Sequence, residues 1–362
     1  MSYSFILSGG GTGGHIYPAI AIADALKEEF PDASFLFVGA KHKMEMVKVP
    51  QAGYAIEGLS ITGLDRKLSL RNLLLPFRLW SSIQRSFEIL DRAKPQVVIG
   101  TGGYASAPLL YAAARRGIPY VLQEQNAYAG LVNKLLGPKA QLVCVAYEGM
   151  QRYFKNTRVA LTGNPIRPTL TKLEVTREEA AAYFKLDPTR KVLLLLGGSL
   201  GSARMNAWMA DQLSYIADQG FQLIWQCGPR YFETYEIHEA ESIRVCSFIE
   251  NMQMAYAIAD AIVSRSGAGA VSELALLGRP TLFIPSPNVA EDHQTKNALA
   301  LTEANAALLL KEQDMPHASE KALSALFEEV KTPSGMGERF KERAKPQAAQ
   351  AIVALIKEVM GL

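Results

Sequence analysis

Short apolar runs alternate with longer stretches whose apolar residues recur at helical spacing, and this alternation continues along most of the chain. The strand-like runs are YSFILS, SFLFVG, QVVIGT, PYVLQ, QLVCVA, KVLLLLG, FQLIWQC, DAIVS and PTLFIP. Strands that read as continuous apolar runs, each followed by a helix, are typical of parallel sheets covered on both faces. The pattern therefore predicts an α/β protein built from doubly wound parallel sheets.

A strand, a glycine-rich turn and an amphipathic helix occur in this order twice, as SFILSGGGTGGHIYPAIAIADAL and as VLLLLGGSLGSARMNAWMADQL. The chain has 362 residues, and one domain per roughly 100 to 200 residues is usual. Two Rossmann-like domains, each starting with this unit, explain the repeat better than one large sheet. The Gly163-Asn164 turn and two prolines interrupt the periodicity near residues 162–170. We therefore expect domains at 1–163 and 164–342, with a binding cleft between them.

The composition fits a globular protein with a large core, since 49% of the residues are hydrophobic and 20% are charged. A net charge of +3 is too mild to predict nucleic-acid binding. Cys144, Cys227 and Cys246 lie in apolar runs without a pairing pattern, which predicts buried free thiols in a reducing compartment. The start of the chain lacks a leader pattern and no apolar run approaches 18 residues, so we expect a cytoplasmic protein without a membrane span.

The first glycine-rich turn matches the dinucleotide fingerprint G-x-G-x-x-G through Gly9, Gly11 and Gly14. A dinucleotide site also needs an acidic residue at the end of the second strand, where this chain has Gly39-Ala40-Lys41. This argues against an NAD site. What remains is either a plain tight turn or a bare backbone that an anion or a sugar can approach closely.

His15 follows the last of these glycines, at the predicted start of a helix. The positive end of a helix disfavours imidazolium, and a neutral imidazole can accept a proton. His15 is therefore a candidate general base, although a lone histidine is more often structural.

The second glycine-rich turn, GGSLG, supports two interpretations. It matches the G-x-S-x-G nucleophile motif, and Asp260 and His293 follow Ser199 in hydrolase order. Alternatively, the backbone amides of residues 198–202 and the Ser199 hydroxyl hold phosphate oxygens. The second interpretation is simpler, because a hydrolase would leave the first turn and Arg167 without a role.

A further strand, a Ser-Gly-Ala-Gly turn and a helix follow in SRSGAGAVSELALLGRP, where Glu273 lies early in the helix. This carboxylate is placed to bond a ribose diol, or it is an ordinary solvated acid. The sequence contains neither a P-loop nor an Asp-x-Asp motif, and its five histidines are scattered. We therefore expect no metal or other cofactor, and Arg167 and helix ends would neutralise a diphosphate.

Residues 66–80 interleave basic with bulky apolar side chains in RKLSLRNLLLPFRLW. This composition suits an anionic membrane surface, whereas the bland alternative is a core helix with charged ends. The candidate membrane contacts are Arg71, Leu74, Leu75, Arg78, Leu79 and Trp80.

Several segments occur in a fixed order from about Ser4 to Ala298: GGGTGGHIYPAIAIA, VIGTGGYASAP, QEQNAYAGLVNK, LTGNPIRP, LLGGSLGSARMN, SRSGAGAVSELALLGRPTLFIP and EDHQTKNA. Together they closely resemble the MurG family of bacterial peptidoglycan glycosyltransferases. The resemblance implies the GT-B architecture of two Rossmann-like domains, an N-terminal acceptor domain and a C-terminal UDP-sugar domain. It also implies that a tail helix near 343–362 returns to the first domain.

The reaction that the resemblance implies is an inverting transfer of N-acetylglucosamine from UDP-N-acetylglucosamine to O4 of the muramyl sugar of undecaprenyl-linked lipid I, which forms lipid II. The implied roles are His15 as base near the acceptor, with Thr12, Gly13, Gly14, Tyr104 and Asn126 around it. Except for Tyr104, these neighbours are also implied contacts of the donor sugar.

In the second domain, the resemblance implies that Arg167 and Ser199 hold the diphosphate, Ile249 the uracil, Ala268 the phosphate-side turn and Glu273 the ribose. The family reads the donor sugar with a Gln-Gln pair, for which this sequence has His293-Gln294.

The implied location is peripheral, on the cytoplasmic face of the plasma membrane, with residues 66–80 against the anionic surface and other wall-synthesis proteins as partners. Three alternatives stay open at this point. They are a UDP-N-acetylglucosamine 2-epimerase on the same scaffold, a serine hydrolase that uses Ser199, and a nucleotide-binding scaffold without catalysis.

Overall fold

The computed structural model describes residues 3–63, 75–166, 174–198 and 200–362. The chain divides into two compact units, Met1–Arg167 with Lys345–Leu362, and Pro168–Ala344. The sequence placed the division after residue 163 and the return of the tail at residue 343, so the structural bounds lie slightly further along the chain.

The strands of the first unit, within the described residues, are β1 (Ser4–Gly9), β2 (Ser34–Ala40), β3 (Ala55–Leu59), β4 (Val97–Gly102), β5 (Tyr120–Glu124), β6 (Leu142–Val145) and β7 (Val159–Leu161). They form one sheet in the order β3-β2-β1-β4-β5-β6-β7, and every pairing is parallel. Because β1 lies between β2 and β4, the strand order reverses there, and ligands of open α/β sheets bind at the carboxyl ends of such strands.

The strands of the second unit are β8 (Val192–Leu196), β9 (Gln222–Gln226), β10 (Ile243–Cys246), β11 (Ala261–Ser264), β12 (Thr281–Phe283) and β13 (Leu308–Leu309). Their order is β10-β9-β8-β11-β12-β13, again with parallel pairs. The first strand of this unit, β8, is therefore also central, which explains why the two halves of the sequence look alike.

The helices of the described ranges are α1 (Gly13–Glu29), α2 (Glu45–Gln51), α3 (Leu75–Ala93), α4 (Ala107–Arg116), α5 (Leu131–Leu136), α6 (Arg177–Phe184), α7 (Ala203–Asp218), α8 (Phe232–Tyr235), α9 (Met252–Ile258), α10 (Ala268–Leu277), α11 (His293–Thr302), α12 (Met315–Lys331), α13 (Met336–Lys341) and α14 (Ala348–Met360). Short 3-10 helices occur at Gly137–Lys139, Met150–Tyr153, Pro229–Tyr231, Glu236–His238, Ala290–Asp292 and Glu312–Asp314.

The pattern missed β3, β7, β10 and β13, and each of these strands is an edge of its sheet. Their residues are mostly of intermediate exposure, in contrast to the fully buried β8 and β9. An edge strand packs against one neighbour only, so it needs no continuous apolar run and gives a weaker sequence signal.

The first sheet buries apolar side chains on both faces. Phe5 and Leu7 of β1 point to one face, whereas Ile6 packs on the other, as expected for alternating side chains of a strand. The face with Phe5 and Leu7 is covered by α1 and by α14, whose Ile352 and Ile356 are fully buried. The last helix of the chain is thus part of the core of the first unit.

The second sheet packs in the same way. All five residues of β8 are buried, and Leu193 and Leu195 belong to one core cluster with Met209 of α7 and Phe327 of α12. The apolar run that predicted this strand is required by burial on both faces.

The three cysteines are free thiols, as the sequence predicted. Cys144 and Cys227 are buried, whereas Cys246 is only of intermediate exposure. Burial raises the pKa of Cys144 to about 12 and that of Cys246 to about 11. Neither thiol is therefore a reactive thiolate near neutral pH.

We expect Ile352→Ala to destabilise the first unit by about 2–5 kcal/mol, because the substitution leaves a cavity between α14 and β1. Hydrogen exchange at the amides of β1 should accelerate, while exchange in β8 of the second unit stays unchanged. The control is Ala354→Ser on the exposed side of α14, where an effect within about 0.5 kcal/mol is expected. Equal protection of β1 in both variants would contradict a core role for α14.

Candidate active site

The first glycine-rich turn connects β1 to α1 and is pressed against other parts of the first unit. A Cβ atom on Gly9 would lie 1.9 Å from Oγ1 of Thr101. Gly11 has a φ of +85°, and a Cβ atom there would lie 3.1 Å from the ring of Tyr104. These glycines are required by close packing against protein groups and by a left-handed backbone.

Glu45 lies beneath this turn and is fully buried. Its carboxylate accepts hydrogen bonds from the amides of Ala40 (3.0 Å) and Gly11 (3.2 Å). The amide of Gly11 is therefore occupied, and a negative charge lies below the turn, which is unlike the bare anion cradle that the glycine pattern suggested. Sequence reasoning missed Glu45, since a single acid in a helical stretch gives no signal of its burial.

His15 lies in the first turn of α1, where Thr12 is the N-cap residue and contributes no side-chain cap. Its Nδ1 is 3.0 Å from the carbonyl oxygen of Thr101 and 3.0 Å from Oε1 of Gln125. His15 and Gly13 are partly exposed, whereas Thr12 and Gly14 are exposed. The ring is thus held by one nitrogen at the carboxyl ends of β1, β4 and β5.

Two glycines after β4 make room for the imidazole. A Cβ atom on Gly102 would lie 3.1 Å from Nδ1 of His15, and one on Gly103 would lie 3.1 Å from its Cδ2. Both glycines have positive φ angles, +97° and +80°. The segment IGTGGY, which the sequence analysis had not assigned to His15, therefore forms the slot for its ring.

Asn126 lies in a turn that is organised by the buried carboxylate of Glu124. That carboxylate accepts hydrogen bonds from the amide of Asn126 (3.1 Å), the amide of Gly130 (2.8 Å) and Nδ2 of Asn133 (2.9 Å). Because Glu124 ends β5, the turn starts at the same edge of the sheet as His15. The structure therefore brings His15, Tyr104 and Asn126 to the edge formed by β1, β4 and β5.

In the second unit, the loop after β8 is fixed by another close approach of glycines. A Cβ atom on Gly201 would lie 2.0 Å from the carbonyl oxygen of Cys227, and one on Gly228 would lie 2.4 Å from Cα of Gly201. Ser202 caps α7 by accepting a hydrogen bond from the amide of Met205 (3.3 Å). One amide in the first turn of α7 is thus satisfied by a side-chain cap.

The end of α10 is different, because its N-cap residue is Gly267 and no side chain caps it. Ala268 is the first helical residue and is 7% exposed. Unpaired amides at such an end bind anions. Oε1 of Gln294 accepts a hydrogen bond from the amide of Ser286 (2.9 Å), and its Nε2 lies 3.9 Å from the Cβ position of Gly267. Gln294 therefore borders the open end of α10.

Arg265 ties the loops of this site together, and sequence reasoning missed it. Its guanidinium donates to Oγ of Ser202 (2.5 Å), to Glu312 (2.5 Å) and to the carbonyl oxygen of Ile284 (3.0 Å). It follows β11 directly, and a single basic residue after a strand gives no sequence signal that distinguishes a ligand contact from a structural one. The observed contacts make it a bridge between the loops after β8 and β11.

Two further candidates for the donor side are Glu273 and Ile249. Glu273 is half-buried on α10, and the hydroxyl of Tyr256 donates to its carboxylate at 3.5 Å. Ile249 is 3% exposed, so its side chain belongs to the core.

His293 begins α11 after two residues in the left-handed region, Glu291 (φ 55°) and Asp292 (φ 51°). Such conformations are costly for residues other than glycine and cluster at functional sites. Nδ1 of His293 lies 2.8 Å from the carbonyl oxygen of Ala290.

The structure separates the candidates for a serine hydrolase. Asp260 lies next to Val192, the first residue of β8, and its carboxylate accepts a hydrogen bond from the amide of Val192 (2.9 Å). The GGSLG loop follows the opposite end of β8. The strand has five residues, and each adds about 3.3 Å to the separation. Asp260 is also paired with Arg177 (2.9 Å) and Lys191 (3.3 Å). It cannot orient a histidine at that loop, and the hydrolase interpretation is wrong.

Arg167, Ser199, Arg71 and Leu74 lie outside the described residues. At the start of α3, large apolar side chains are exposed, 73% for Phe77 and 65% for Trp80, with Leu79 beside them. Leu75 is half-buried, and Arg78 donates to Oγ1 of Thr62 (3.2 Å).

In the described ranges, no cluster of three or more His, Cys, Asp or Glu side chains is arranged for a metal ion. None of the helices described above combines the length and the apolar character that crossing a bilayer requires.

Comparisons with known proteins identify the family. Residues 5–145 match the glycosyltransferase family 28 N-terminal domain, and residues 192–352 match the family 28 C-terminal domain. A relative from Flavobacterium psychrophilum is named UDP-N-acetylglucosamine–N-acetylmuramyl-(pentapeptide) pyrophosphoryl-undecaprenol N-acetylglucosamine transferase. It is 51% identical over 352 residues, which are 97% of this chain and 96% of the relative.

Solved structures agree with this result. The crystal structure of Acinetobacter baumannii MurG has a TM-score of 0.79 and 27% identity, and the match covers 99% of this chain and 100% of that one. A UDP-GlcNAc 2-epimerase from Neisseria meningitidis, solved with UDP-GlcNAc, has a TM-score of 0.67 at 15% identity over 99% and 100% of the two chains, which shows a shared fold only. The predictions of the family and of two Rossmann-like domains are confirmed. The chain belongs to glycosyltransferase family 28 and, within it, to the MurG family of N-acetylglucosamine transferases.

Proposed function

We propose that this protein transfers N-acetylglucosamine from UDP-N-acetylglucosamine to O4 of the muramyl sugar of an undecaprenyl-pyrophosphoryl acceptor, with inversion, and that His15 is the base. The relatives are named for this transfer, and their extensive identity supports the same reaction here. The role of His15 is supported by the surroundings of its ring. One ring nitrogen faces two oxygen atoms, and the ring lies at the strand ends where substrates of this fold bind.

The reaction is a single displacement. His15 takes the proton of the O4 hydroxyl as this oxygen forms a bond to the anomeric carbon, and the bond from that carbon to the diphosphate oxygen breaks on the opposite side. UDP leaves with the bonding electrons. Because the attack on the opposite face inverts the α linkage of the donor, the new glycosidic bond is β. A positioned base typically contributes about 10² to 10⁴ in rate.

The donor side rests on the second unit. The uncapped end of α10 at Ala268 offers amides to the diphosphate, and Gln294 borders that end, within reach of sugar hydroxyls. Glu273, on the same helix, would accept hydrogen bonds from the ribose diol, and Ile249 would contact the uracil. Arg167 and Ser199 complete the proposed diphosphate site. His293 precedes Gln294 and is the second residue of the pair proposed to bind the donor sugar.

The acceptor side rests on the first unit. Thr12, Gly13 and Gly14 are accessible at the start of α1, and Tyr104 and Asn126 lie at the same sheet edge. The exposed side chains of Phe77, Leu79 and Trp80, with Arg78, suit insertion into the headgroup region of an anionic bilayer. The proposed membrane contacts also include Arg71, Leu74 and Leu75. The proposed location is peripheral, on the cytoplasmic leaflet that carries the lipid acceptor.

We expect label from UDP-[14C]GlcNAc to enter a short-chain lipid I analogue, and His15→Ala to lower kcat by at least about a hundredfold because the base is lost. His317→Ala, on the exposed surface of α12, is the control and should transfer at the parental rate. Recovery of the label only as free or epimerised sugar would contradict the transferase and favour an epimerase. Unchanged transfer by His15→Ala would exclude His15 as the base.

Glu273→Gln and Gln294→Ala should each raise the KM for UDP-GlcNAc about tenfold, since a lost hydrogen bond to a bound substrate costs about 1.4 kcal/mol. The KM for the lipid acceptor should not change. Steady-state kinetics with each substrate varied in turn tests this, with Glu303→Gln, an exposed acid at the end of α11, as control. A rise in the acceptor KM alone would place these residues on the wrong substrate.

The double variant Phe77→Ser, Trp80→Ser should bind vesicles of anionic phospholipid at least about tenfold more weakly, because burial of each ring contributes about 1.5–3 kcal/mol. Vesicle co-sedimentation measures the bound fraction. Ile237→Ser, which removes a 77% exposed side chain from the second unit, is the matched control. Equal binding of the parent and the double variant would remove the membrane role from α3.

A further inference from the structure

The state of the His15 ring can be read from the atoms around its Nδ1. Both neighbours at 3.0 Å are oxygen atoms, one from the main chain of Thr101 and one from the side chain of Gln125. A carbonyl oxygen can only accept a hydrogen bond. Nδ1 must therefore carry the proton, which leaves the lone pair of the neutral ring on Nε2.

The orientation of the Gln125 amide matters for this conclusion, because oxygen and nitrogen of an amide are assigned from their partners. Nε2 of Gln125 lies 2.7 Å from the carbonyl oxygen of Thr101 and 3.1 Å from that of Gln123, and it also contacts Oε1 of Gln123. A flipped amide would place its oxygen against these acceptors. The oxygen of Gln125 therefore faces His15.

A chain of buried amides gives the same answer from its other end. Nδ2 of Asn164 donates to the carbonyl oxygen of Gln125 (3.0 Å), so Oδ1 of Asn164 faces Nε2 of Gln123 (2.9 Å). Oε1 of Gln123 is then left to accept from Gln125. Each amide has one orientation, and the three residues are at most 4% exposed.

The carbonyl of Thr101 reaches His15 because the sheet is irregular at that residue. The pairing of β1 with β4 passes from Ser8–Gly100 to Gly9–Gly102, so Thr101 is the extra residue of a bulge. A bulge turns a backbone group away from the ladder. Here it turns the Thr101 carbonyl towards Nδ1, and Gly102 and Gly103 close the slot around the ring.

We propose that Gln125 is a positioning residue for the transfer: with the Thr101 carbonyl it holds His15 as the Nδ1–H tautomer, so that Nε2 can take the proton of the attacking hydroxyl. This inference rests on the proposed role of His15 as base. The proton moves from the acceptor O4 to Nε2 as the bond from O4 to the anomeric carbon forms, and the bond to UDP breaks. A carboxylate does the same positioning in the Ser-His-Asp triad, whereas both acceptors are neutral here.

The tautomer can be measured without any turnover. In the complete protein labelled with 15N-histidine, two-bond correlation spectra distinguish a protonated ring nitrogen from a bare one, and His15→Ala assigns the signals. We expect His15 to show a bare Nε2 and a protonated Nδ1. A protonated Nε2 in the neutral ring would overturn the proposal.

The variant Gln125→Leu keeps the volume but removes one acceptor from Nδ1 and the donor that fixes Thr101. We expect the tautomer signals of His15 to broaden or mix, and kcat to fall about 10- to 100-fold, the range found for hydrogen-bond partners of metal-bound histidines. The KM for UDP-GlcNAc should stay unchanged. The matched control is Gln222→Leu, another buried amide, which bonds Asp187 in the second unit. It should lose comparable stability and keep both kcat and the His15 signals.

The outcomes separate this inference from the proposed function. Parental spectra and kcat in Gln125→Leu would overturn the positioning role while transfer itself stands. Equal losses of kcat in Gln125→Leu and Gln222→Leu, with His15 signals unchanged, would reduce Gln125 to a structural residue. If His15→Ala transfers normally, the base assignment fails, and the spectra then report a structural histidine.

Discussion

The close approach of β1, β4 and the first turn of α1 is the constraint on which the geometry around His15 depends. Side chains are absent at Gly9, Gly102 and Gly103, and at each of these positions a Cβ atom would lie about 3 Å or less from Thr101, His15 or the Gly10 carbonyl. The bulge at Thr101 and the position of His15 both follow from this contact. A side chain at any of these glycines would therefore displace Thr101, the Gly10 carbonyl or the His15 ring.

The two units use the same strand-turn-helix pattern for different purposes. In the first unit, the turn is filled by protein groups, since Glu45 occupies the amide of Gly11 and Tyr104 covers its Cα. In the second unit, α7 is capped by Ser202, and the open helix end belongs to α10. An open helix end favours an anion, whereas a turn above a buried carboxylate does not.

The fold alone does not choose the reaction. The epimerase of Neisseria meningitidis shares the two-unit fold at 15% identity, so the architecture serves more than one chemistry on one class of substrate. The proposed transfer needs a base for an incoming hydroxyl. The candidate, His15, lies beside polar groups that follow β4 and β5, because parallel strands present their carboxyl ends at one edge.

The sequence by itself determined the α/β class, the two domains and the central strands, because burial on both faces demands continuous apolar runs such as VLLLL. It also indicated the family, through ordered motifs, and His15 as a candidate base, through its place after a glycine-rich turn. It missed the edge strands, which pack on one side only, and it missed Glu45, Gln125 and Arg265. Only the tertiary structure decided the partners of His15, because Thr101 and Gln125 lie 86 and 110 residues away along the chain. Local periodicity carries no information about contacts of that separation, since these are set by the strand order and by how closely two backbones can approach.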